Sequence, residues 1–316
     1  MFMMKPMLVL LVALLAASAG PAGAQVDKTD CPPSASYSRE LFAKAEQQAR
    51  DRGFLWRIER GGRVSYLFGS MHVGKAGWMS PGPSVRSALG QVDALALEVD
   101  MTSAEAQQQL QQLAGLAPRE IPQPLRQRLE RLWVAECLPL AQLNNGPVEL
   151  QAVTLMALMG RRQGFDPSYA SELMLTMAAR AGGLPVLSLE SVRSQLDLFL
   201  AADDAEASET VAQALEQLEK PETRVMQEKL AVAWAHSELD VLASYQAWCD
   251  CVHTDRERAD MKKLLDDRNP GLADGIERLH ASGQRVFAAV GALHMTGQTA
   301  LPRLLAARGF AVERVF

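Results

Sequence analysis

The sequence predicts an α/β fold whose core is built from strands that lie far apart along the chain. Long helical stretches separate the strand-like segments, which occupy residues 54–70, 93–100, 184–191, 284–291 and 310–316. No stretch of linker-like composition divides the two ends of the chain from its middle. We therefore expect one core formed by N- and C-terminal strands, with a large helical insertion at residues 192–282.

The segment FLWRIERGGRVSYLFGS, residues 54–70, predicts a β-hairpin. Two runs of apolar and β-favouring residues flank Gly61 and Gly62, a turn dipeptide that tolerates positive φ. A helix is predicted before it, at residues 37–52. Thr102 and Glu105 have the spacing of a capping box, which predicts a helix that ends at Gly115.

The first 24 residues have the pattern of a secretory signal peptide, with a lysine, an apolar run and a small-residue end at Ala22-Gly23-Ala24. Residues 25–53 then form an N-terminal extension. The apolar run is too short to favour a spanning helix, and no later run is longer. We expect a periplasmic or secreted protein without a stable membrane span after signal cleavage. The formal net charge of −5, without a basic patch, argues against nucleic acid as a partner.

The four cysteines are Cys31, Cys137, Cys249 and Cys251. An even number in an exported chain predicts two disulfides, for which three pairings exist. A ring that joined Cys249 to Cys251 would be small and strained, so each is expected to reach a distant partner, Cys31 or Cys137. A thiolate metal cluster is the alternative, but the sequence lacks a C-x-x-C spacing.

Four predicted strands end in side chains that can bind a metal or transfer a proton. These are His72, Glu98, Glu190 and His294, and both histidines stand in a G-x-x-H motif. Ligands of α/β sheets bind at the carboxyl ends of strands, and a glycine there allows a sharp exit and close approach of a ligand. Two imidazoles with one or two carboxylates predict a divalent metal site with an open position, for Mn, Fe, Co or Zn.

Each of these residues also has a purely structural interpretation. A strand-end histidine can be a hydrogen-bonded loop residue, and Glu190 can cap a helix that begins at residue 191. The remaining histidines, His236, His253 and His280, lie in charged helical surroundings and are expected at the surface or at helix ends. The sequence contains no G-x-S-x-G nucleophile elbow and no P-loop, so serine-hydrolase and nucleotide chemistry lack support.

Taken together, these segments resemble the TraB/GumN family over residues 54–316. The resemblance rests on LWRIERGGRVSYLFGSMHVG, ALALEVD, GFDPSYASELML, LPVLSLESVRSQLDLF, DDRNPGLADGIERL and VFAAVGALHMTGQTALPRLLAARGFAVERV. Paired G-x-x-H motifs with an intervening glutamate are the signature of the family. The wider group includes TIKI-type metalloproteases and, more distantly, erythromycin esterases and ChaN-type haem-binding proteins.

The resemblance implies a mixed central sheet, surrounded by helices, at which the two motifs meet. It also implies that His72, Glu98 and His294 bind a divalent metal, with Mn or Co favoured and Zn or Fe as alternatives.

Glu190, Arg268 and Asn269 fall in family-typical segments and are expected to be catalytic. Glu190 would be the general base or a further metal ligand. Arg268 and Asn269 would donate to a substrate carboxylate or a developing oxyanion. The alternative interpretation of the last two is a helix-end pair before Pro270.

We therefore predict an exported metal-dependent hydrolase, resembling a metallopeptidase, that acts on peptides or other small substrates. Metal-bound water would attack a carbonyl at neutral pH. The alternative is a non-catalytic envelope protein that binds haem or a glycan and is related to proteins of polysaccharide gene clusters.

Overall fold

A computed structural model describes residues 30–316 and shows one six-stranded sheet surrounded by helices. The predicted signal peptide, residues 1–24, lies outside the described residues. The strands are β1 (Phe54–Arg60), β2 (Arg63–Ser70), β3 (Ala94–Leu97), β4 (Val186–Ser188), β5 (Val286–Gly291) and β6 (Ala311–Arg314). The predicted α/β class is confirmed.

The strand order is β4-β3-β5-β2-β1-β6. Strands β2, β3, β4 and β5 run parallel to their neighbours in this set, whereas β1 is antiparallel to both β2 and β6. The sheet is therefore mixed, and strands from both ends of the chain pair with one another in it, as expected. Every residue of β5 is buried, which fits a central parallel strand covered on both faces.

The helices before β4 are α1 (Arg39–Gln47), α2 (Pro83–Leu89), α3 (Ala104–Ala114), α4 (Gln123–Ala135), α5 (Val148–Leu158) and α6 (Ser171–Ala181). Those after it are α7 (Val192–Leu196), α8 (Asp204–Leu218), α9 (Pro221–Ala235), α10 (Leu239–Ala243), α11 (Tyr245–Trp248), α12 (Asp255–Leu264), α13 (Asn269–Ala281) and α14 (Leu301–Ala307). Among residues 30–316, no helix has both the length and the apolarity needed to cross a bilayer.

Helices α4, α5 and α8 form a helical part of the molecule that has its own hydrophobic cluster beside the main core. It joins α4, α5 and α8 through buried side chains such as Trp133, Leu155 and Leu215. Helices from both sides of β4 thus build this part, which extends beyond the predicted insertion at 192–282. Helix α13, at the end of that insertion, instead buries Leu272 and Ile276 in the main core.

The hairpin is confirmed, and the helix predicted at residues 37–52 is present but shorter, at Arg39–Gln47. The predicted capping box is wrong. Gly61 and Gly62 have φ of +60° and +73°, as their turn requires. Helix α3 is capped by Ser103, whose hydroxyl accepts from the Ala106 N–H at 3.1 Å. The Thr102 hydroxyl instead donates to the Asp100 carboxylate at 2.5 Å and accepts from the Arg180 guanidinium.

The predicted disulfide pairing is also wrong, because Cys249 bonds to Cys251 and Cys31 bonds to Cys137. Asp250 has a left-handed φ of +49°, which turns the chain sharply between the two cysteines. Their Cα atoms are therefore 5.0 Å apart, within the usual span of a disulfide. Cys31 then joins the N-terminal extension to the residue that follows the end of α4.

Candidate functional site

The two G-x-x-H motifs lie side by side at the carboxyl edge of the parallel strands β2 and β5. Ser70 of the first motif is opposite Gly291 of the second. A Cβ atom at Gly69 would lie 3.3 Å from Cα of Ala292, which is tighter than an ordinary contact. Glycine at position 69 therefore leaves room for the second motif, whereas the sequence suggested that it leaves room for a ligand.

Strands β3 and β4 carry the two glutamates to the same edge of the sheet. Glu98 follows β3 directly, and its carbonyl oxygen accepts from the Glu190 N–H at 2.8 Å. The amide of Gln195, in α7, donates to both carboxylates at 3.1 Å each. The Gly291 N–H donates to Glu98 Oε1 at 2.7 Å, so the second motif is tied to this pair.

The guanidinium of Arg268 closes the cluster. It donates to Glu190 through Nε at 3.2 Å and Nη2 at 2.6 Å, and Nη2 also donates to Glu98 Oε2. Its Nη1 donates to the Leu264 carbonyl and contacts His294 Nε2, both at 3.2 Å. An arginine has five N–H donors, and all five are used here. In this arrangement Arg268 has no free donor for a substrate oxyanion.

The charges in this cluster hold one another in the ionised state. Burial alone would raise the pKa of Glu98, but Arg268 and two nearby histidines lower that pKa to about 2. Burial alone would lower the pKa of Arg268, but Glu98 and Glu190 raise it above its ordinary range. The result is a buried ion-pair network of one cation and two carboxylates.

His294 is held as a single neutral tautomer. Asn269 Nδ2 donates to the Thr299 carbonyl at 2.9 Å, which orients the amide so that Oδ1 lies 2.5 Å from His294 Nδ1. Because Arg268 can only donate, His294 Nε2 must accept, and the proton stays on Nδ1. Burial first, and Arg268 after it, lower the pKa of His294 to about 3.

Arg268 and Asn269 do stand at a helix end, as the alternative interpretation proposed. Helix α13 begins at Asn269, with Arg268 as its N-cap residue. Both side chains nevertheless turn into the cluster. The helix start therefore positions them, and the two interpretations are compatible.

His72 lies next to this network and pairs with a residue that the sequence did not suggest. Its Nδ1 is 2.7 Å from Oε1 of Glu172, and the Ser70 hydroxyl donates to the same oxygen at 2.6 Å. Burial alone would lower the pKa of His72, but Glu172 outweighs it and raises that pKa. The carboxylate lies off the N–H axis, so the contact is an ion pair without a well-aligned hydrogen bond. His72 Nε2 has no hydrogen-bond partner in the described structure.

The start of α6 places the Glu172 carboxylate next to the His72 imidazole. The Ser171 N–H donates to the Met71 carbonyl at 2.9 Å, and the Met71 N–H donates to the Ser171 hydroxyl at 2.8 Å. This two-way contact joins the loop after β2 to the first turn of α6. The signal in the sequence was an acidic residue inside a Met- and Leu-rich helix, ELMLTMAARAG, which suggested only core packing.

A cavity of about 20 Å³ lies beside His72. Its walls are mostly apolar, and the polar residues among them are His72, Ser70 and Gln227. Helices α9 and α10 cover one side of this cavity. This volume has room for about one water molecule.

A third buried histidine, His280, differs from His72 in that both ring nitrogens have partners. Its Nδ1 is 3.2 Å from the Ser65 hydroxyl and its Nε2 is 3.0 Å from the Arg60 carbonyl. It lies in the last turn of α13, as predicted for a helix-end histidine, but it is not at the surface. His253 is exposed and pairs with Asp250.

The three predicted metal ligands do not fit a metal ion as they are arranged. Within the part of the chain that the structure describes, no three His, Cys, Asp or Glu side chains are grouped so that they could hold one. Arg268 occupies the space between Glu98 and His294, and His72 faces Glu172 instead. A metal between Glu98 and His294 would require Arg268 to move.

A sequence profile of the TraB/PrgY/gumN family matches residues 54–314. The chain belongs to this family. All of the site residues described above fall inside the matched region. Among its relatives, the chain is 23% identical over 257 residues to the "Uncharacterized protein YbaP" of Shigella flexneri. The aligned region covers 78% of this chain and 89% of that protein. No solved structure is significantly similar to the chain.

Five of the six predicted site residues form one network, namely Glu98, Glu190, Arg268, Asn269 and His294. The sixth, His72, lies beside it with its own carboxylate. Glu172 and Gln195 are the partners that sequence reasoning missed.

Proposed function

We propose that this family member is an exported hydrolase that cleaves a peptide bond, or a related carbonyl bond, at the carboxyl edge of the sheet. The observation that carries the proposal is the state of His72. Its Nε2 is buried without a partner beside a small cavity, and its other nitrogen faces Glu172. An unpaired buried polar atom is costly and calls for an explanation, and a role in proton transfer supplies one here.

The arrangement of His72 and Glu172 suits general acid–base catalysis. Nε2 would take a proton from a water molecule in the cavity while the water oxygen forms a bond to the substrate carbonyl carbon. Because the cavity has room for about one water molecule, the substrate would reach it only after α9 and α10 move aside. Glu172 would stabilise the resulting imidazolium, in the way that a third group orients the base in other hydrolases. The proton would then pass to the leaving nitrogen or oxygen as its bond to carbon breaks.

In this proposal the network around Arg268 holds the ends of the strands in position. The general base is His72, whereas the sequence had suggested Glu190. Both oxygens of Glu190 are held by Arg268, and one of them also by Gln195, so they are less suited to take a proton from water. Metal dependence stays a prediction, because Arg268 stands between the expected ligands Glu98 and His294.

Export rests on the predicted signal peptide at residues 1–24. The two disulfides support it, since disulfides persist mainly in oxidising compartments such as the periplasm or the extracellular space.

The test is hydrolysis of a library of internally quenched fluorogenic peptides by the mature protein and by His72→Gln. The matched control is His253→Gln, which removes an exposed histidine. Loss of a general base should lower the rate by about 10²- to 10⁴-fold, while the control keeps full activity. Equal rates in both variants would sink the proposal. Retention of haem or a glycan without turnover would favour the alternative, a binding protein.

A further inference from the structure

Attack of water on a carbonyl places negative charge on the carbonyl oxygen, and the donors that the sequence suggested for this oxygen are already used. All five N–H groups of Arg268 are bound within the buried network. Asn269 Nδ2 donates to the Thr299 carbonyl at 2.9 Å. Because loss of such a donor typically lowers kcat by about 10²- to 10³-fold, the proposed hydrolysis needs one from another side chain.

The cavity beside His72 contains a candidate, the amide of Gln227 in α9. The other polar wall residue, Ser70, donates its hydroxyl proton to Glu172 Oε1 at 2.6 Å. Gln227 is buried, and within residues 30–316 its side-chain amide takes part in no hydrogen bond. Because a cavity of about 20 Å³ holds about one water molecule, His72 and Gln227 can contact the same bound group.

Gly160 leaves the space that this amide occupies. A Cβ atom at position 160 would lie 2.4 Å from Oε1 of Gln227, so a larger residue there would displace the end of the glutamine side chain. A buried amide without a partner is unfavourable compared with an apolar side chain of similar size. The polar side chain at position 227 therefore calls for a role other than packing.

We propose that Gln227 is a catalytic residue of the proposed hydrolysis, on which this inference rests, and that its Nε2 donates to the substrate carbonyl oxygen. As the water oxygen bonds to the carbonyl carbon and His72 takes the proton, the π electron pair of the carbonyl moves to its oxygen. The amide stabilises the resulting negative charge. The pair returns to the C=O bond when the leaving group departs with the proton from His72.

The position of Gln227 on α9 connects this role to the entry of the substrate. Leu230 of α9 and Leu242 of α10 line the same cavity, so both helices must move aside before a substrate can enter. The return of α9 would bring the amide to the carbonyl oxygen and exclude bulk water in the same movement. The catalytic site is therefore complete only when α9 has closed over the substrate.

The test measures kcat and KM of the mature protein and of Gln227→Met, on the fluorogenic peptide that the wild type cleaves fastest. Methionine has nearly the length and volume of glutamine but cannot donate. We expect kcat to fall by about 10²- to 10³-fold while KM stays within about threefold, because the donor acts on charge that exists only in the transition state.

Gln217→Met is the matched control and should keep the kcat of the wild type. Gln217 is also buried, its Nε2 has no partner within the described residues, and it does not line the cavity. A peptide aldehyde, whose hydrate resembles the tetrahedral intermediate, should inhibit Gln227→Met less strongly than the wild type or the control.

If Gln227→Met does not fold, as judged by circular dichroism, Gln227→Asn replaces it. Asparagine keeps a polar amide but withdraws the donor by one methylene group, so kcat should still fall at least about tenfold. A wild type that cleaves peptides, beside a folded variant with undiminished kcat, would overturn this inference and leave the proposed hydrolysis standing. A wild type that cleaves none of the peptides would overturn both.

Discussion

Asn269 Oδ1 and His294 Nδ1 lie 2.5 Å apart, and this contact decides which nitrogen of the imidazole carries the proton. The amide cannot be reversed without losing its bond to the Thr299 carbonyl. His294 Nε2 is therefore left as an acceptor that faces Arg268. The amide of Asn269 thus determines that His294 accepts, and Arg268 donates, in the contact between the second G-x-x-H motif and the buried ion pairs.

Replacing Asn269 by leucine should destabilise the fold. The change leaves the buried Nδ1–H of His294 and the Thr299 carbonyl without partners, and each such group costs about 1–3 kcal/mol. Urea denaturation measures the loss. The control is Asn144→Leu, at an exposed position whose amide contacts only an exposed part of Arg126, where we expect a change within about 0.5 kcal/mol. Similar losses in both variants would show that the amide does not support His294.

Acid should destabilise the protein through the same histidine. The folded pKa of His294 is about 3, below its ordinary value of 6.5, so the unfolded chain binds a proton in this range that the folded chain does not. Its stabilising contribution is complete above pH 6.5 and falls by about 1.4 kcal/mol per pH unit as pH drops toward 3. Glu98 adds a loss of the same sign from pH 4.5 down to about 2.

The measurement is the free energy of unfolding in urea at several pH values between 7 and 4. His294→Asn keeps a donor near Nδ1 but cannot titrate, so its stability should depend less steeply on pH than that of the wild type. Parallel curves for the two proteins would mean that His294 does not carry the acid sensitivity.

The positions of the site residues at strand ends could be predicted because the sheet has parallel neighbours. An apolar run that ends in an acid or a histidine places that side chain at the carboxyl edge when the strand is parallel to its neighbours in this part of the sheet. This holds for the strands before Glu98, Glu190 and the two motif histidines. The mixed order of the sheet could be expected from the family resemblance.

The partners of these residues could not be predicted in the same way. Glu172 and Gln195 sit on helices, where their spacing resembles that of any amphipathic face, and only the packing of α6 and α7 aims them at the site. The use of all five Arg268 donors depends on four neighbouring elements at once. The pairing of Cys249 with Cys251 depends on the backbone of Asp250, which no residue pattern displays.

Glu172→Gln should lower the pKa of His72. Burial disfavours the imidazolium, and the Glu172 carboxylate is the main group that outweighs this effect. With a neutral amide in its place, the pKa of His72 should fall. Proton NMR titration of the imidazole C–H signals measures the change, with His72→Gln identifying the His72 signal.

The remaining histidine signals serve as internal controls in that titration and should keep their wild-type positions. The rate of hydrolysis should increase with pH as His72 loses its proton, because His72 acts as a base only when it is neutral. In Glu172→Gln this increase should occur at lower pH than in the wild type. A His72 signal that titrates as in the wild type would contradict the pairing of these two residues.

The two disulfides should contribute unequally to stability. Cys31 and Cys137 are 106 positions apart, whereas Cys249 and Cys251 are separated by 2. A cross-link that closes a long loop restricts the unfolded chain far more than one that closes a very short loop. Removal of the long-range disulfide should therefore cost about 2–5 kcal/mol, and removal of the short one much less.

Urea denaturation of the double variants Cys31→Ala/Cys137→Ala and Cys249→Ala/Cys251→Ala tests this difference. Cys249 and Cys251 are buried, whereas Cys31 and Cys137 are half-buried. Lost packing alone would therefore make Cys249→Ala/Cys251→Ala the less stable variant. The loop-closure argument predicts the opposite order. A larger loss in Cys249→Ala/Cys251→Ala would mean that local packing around Asp250 outweighs the tether between the N-terminal extension and the end of α4.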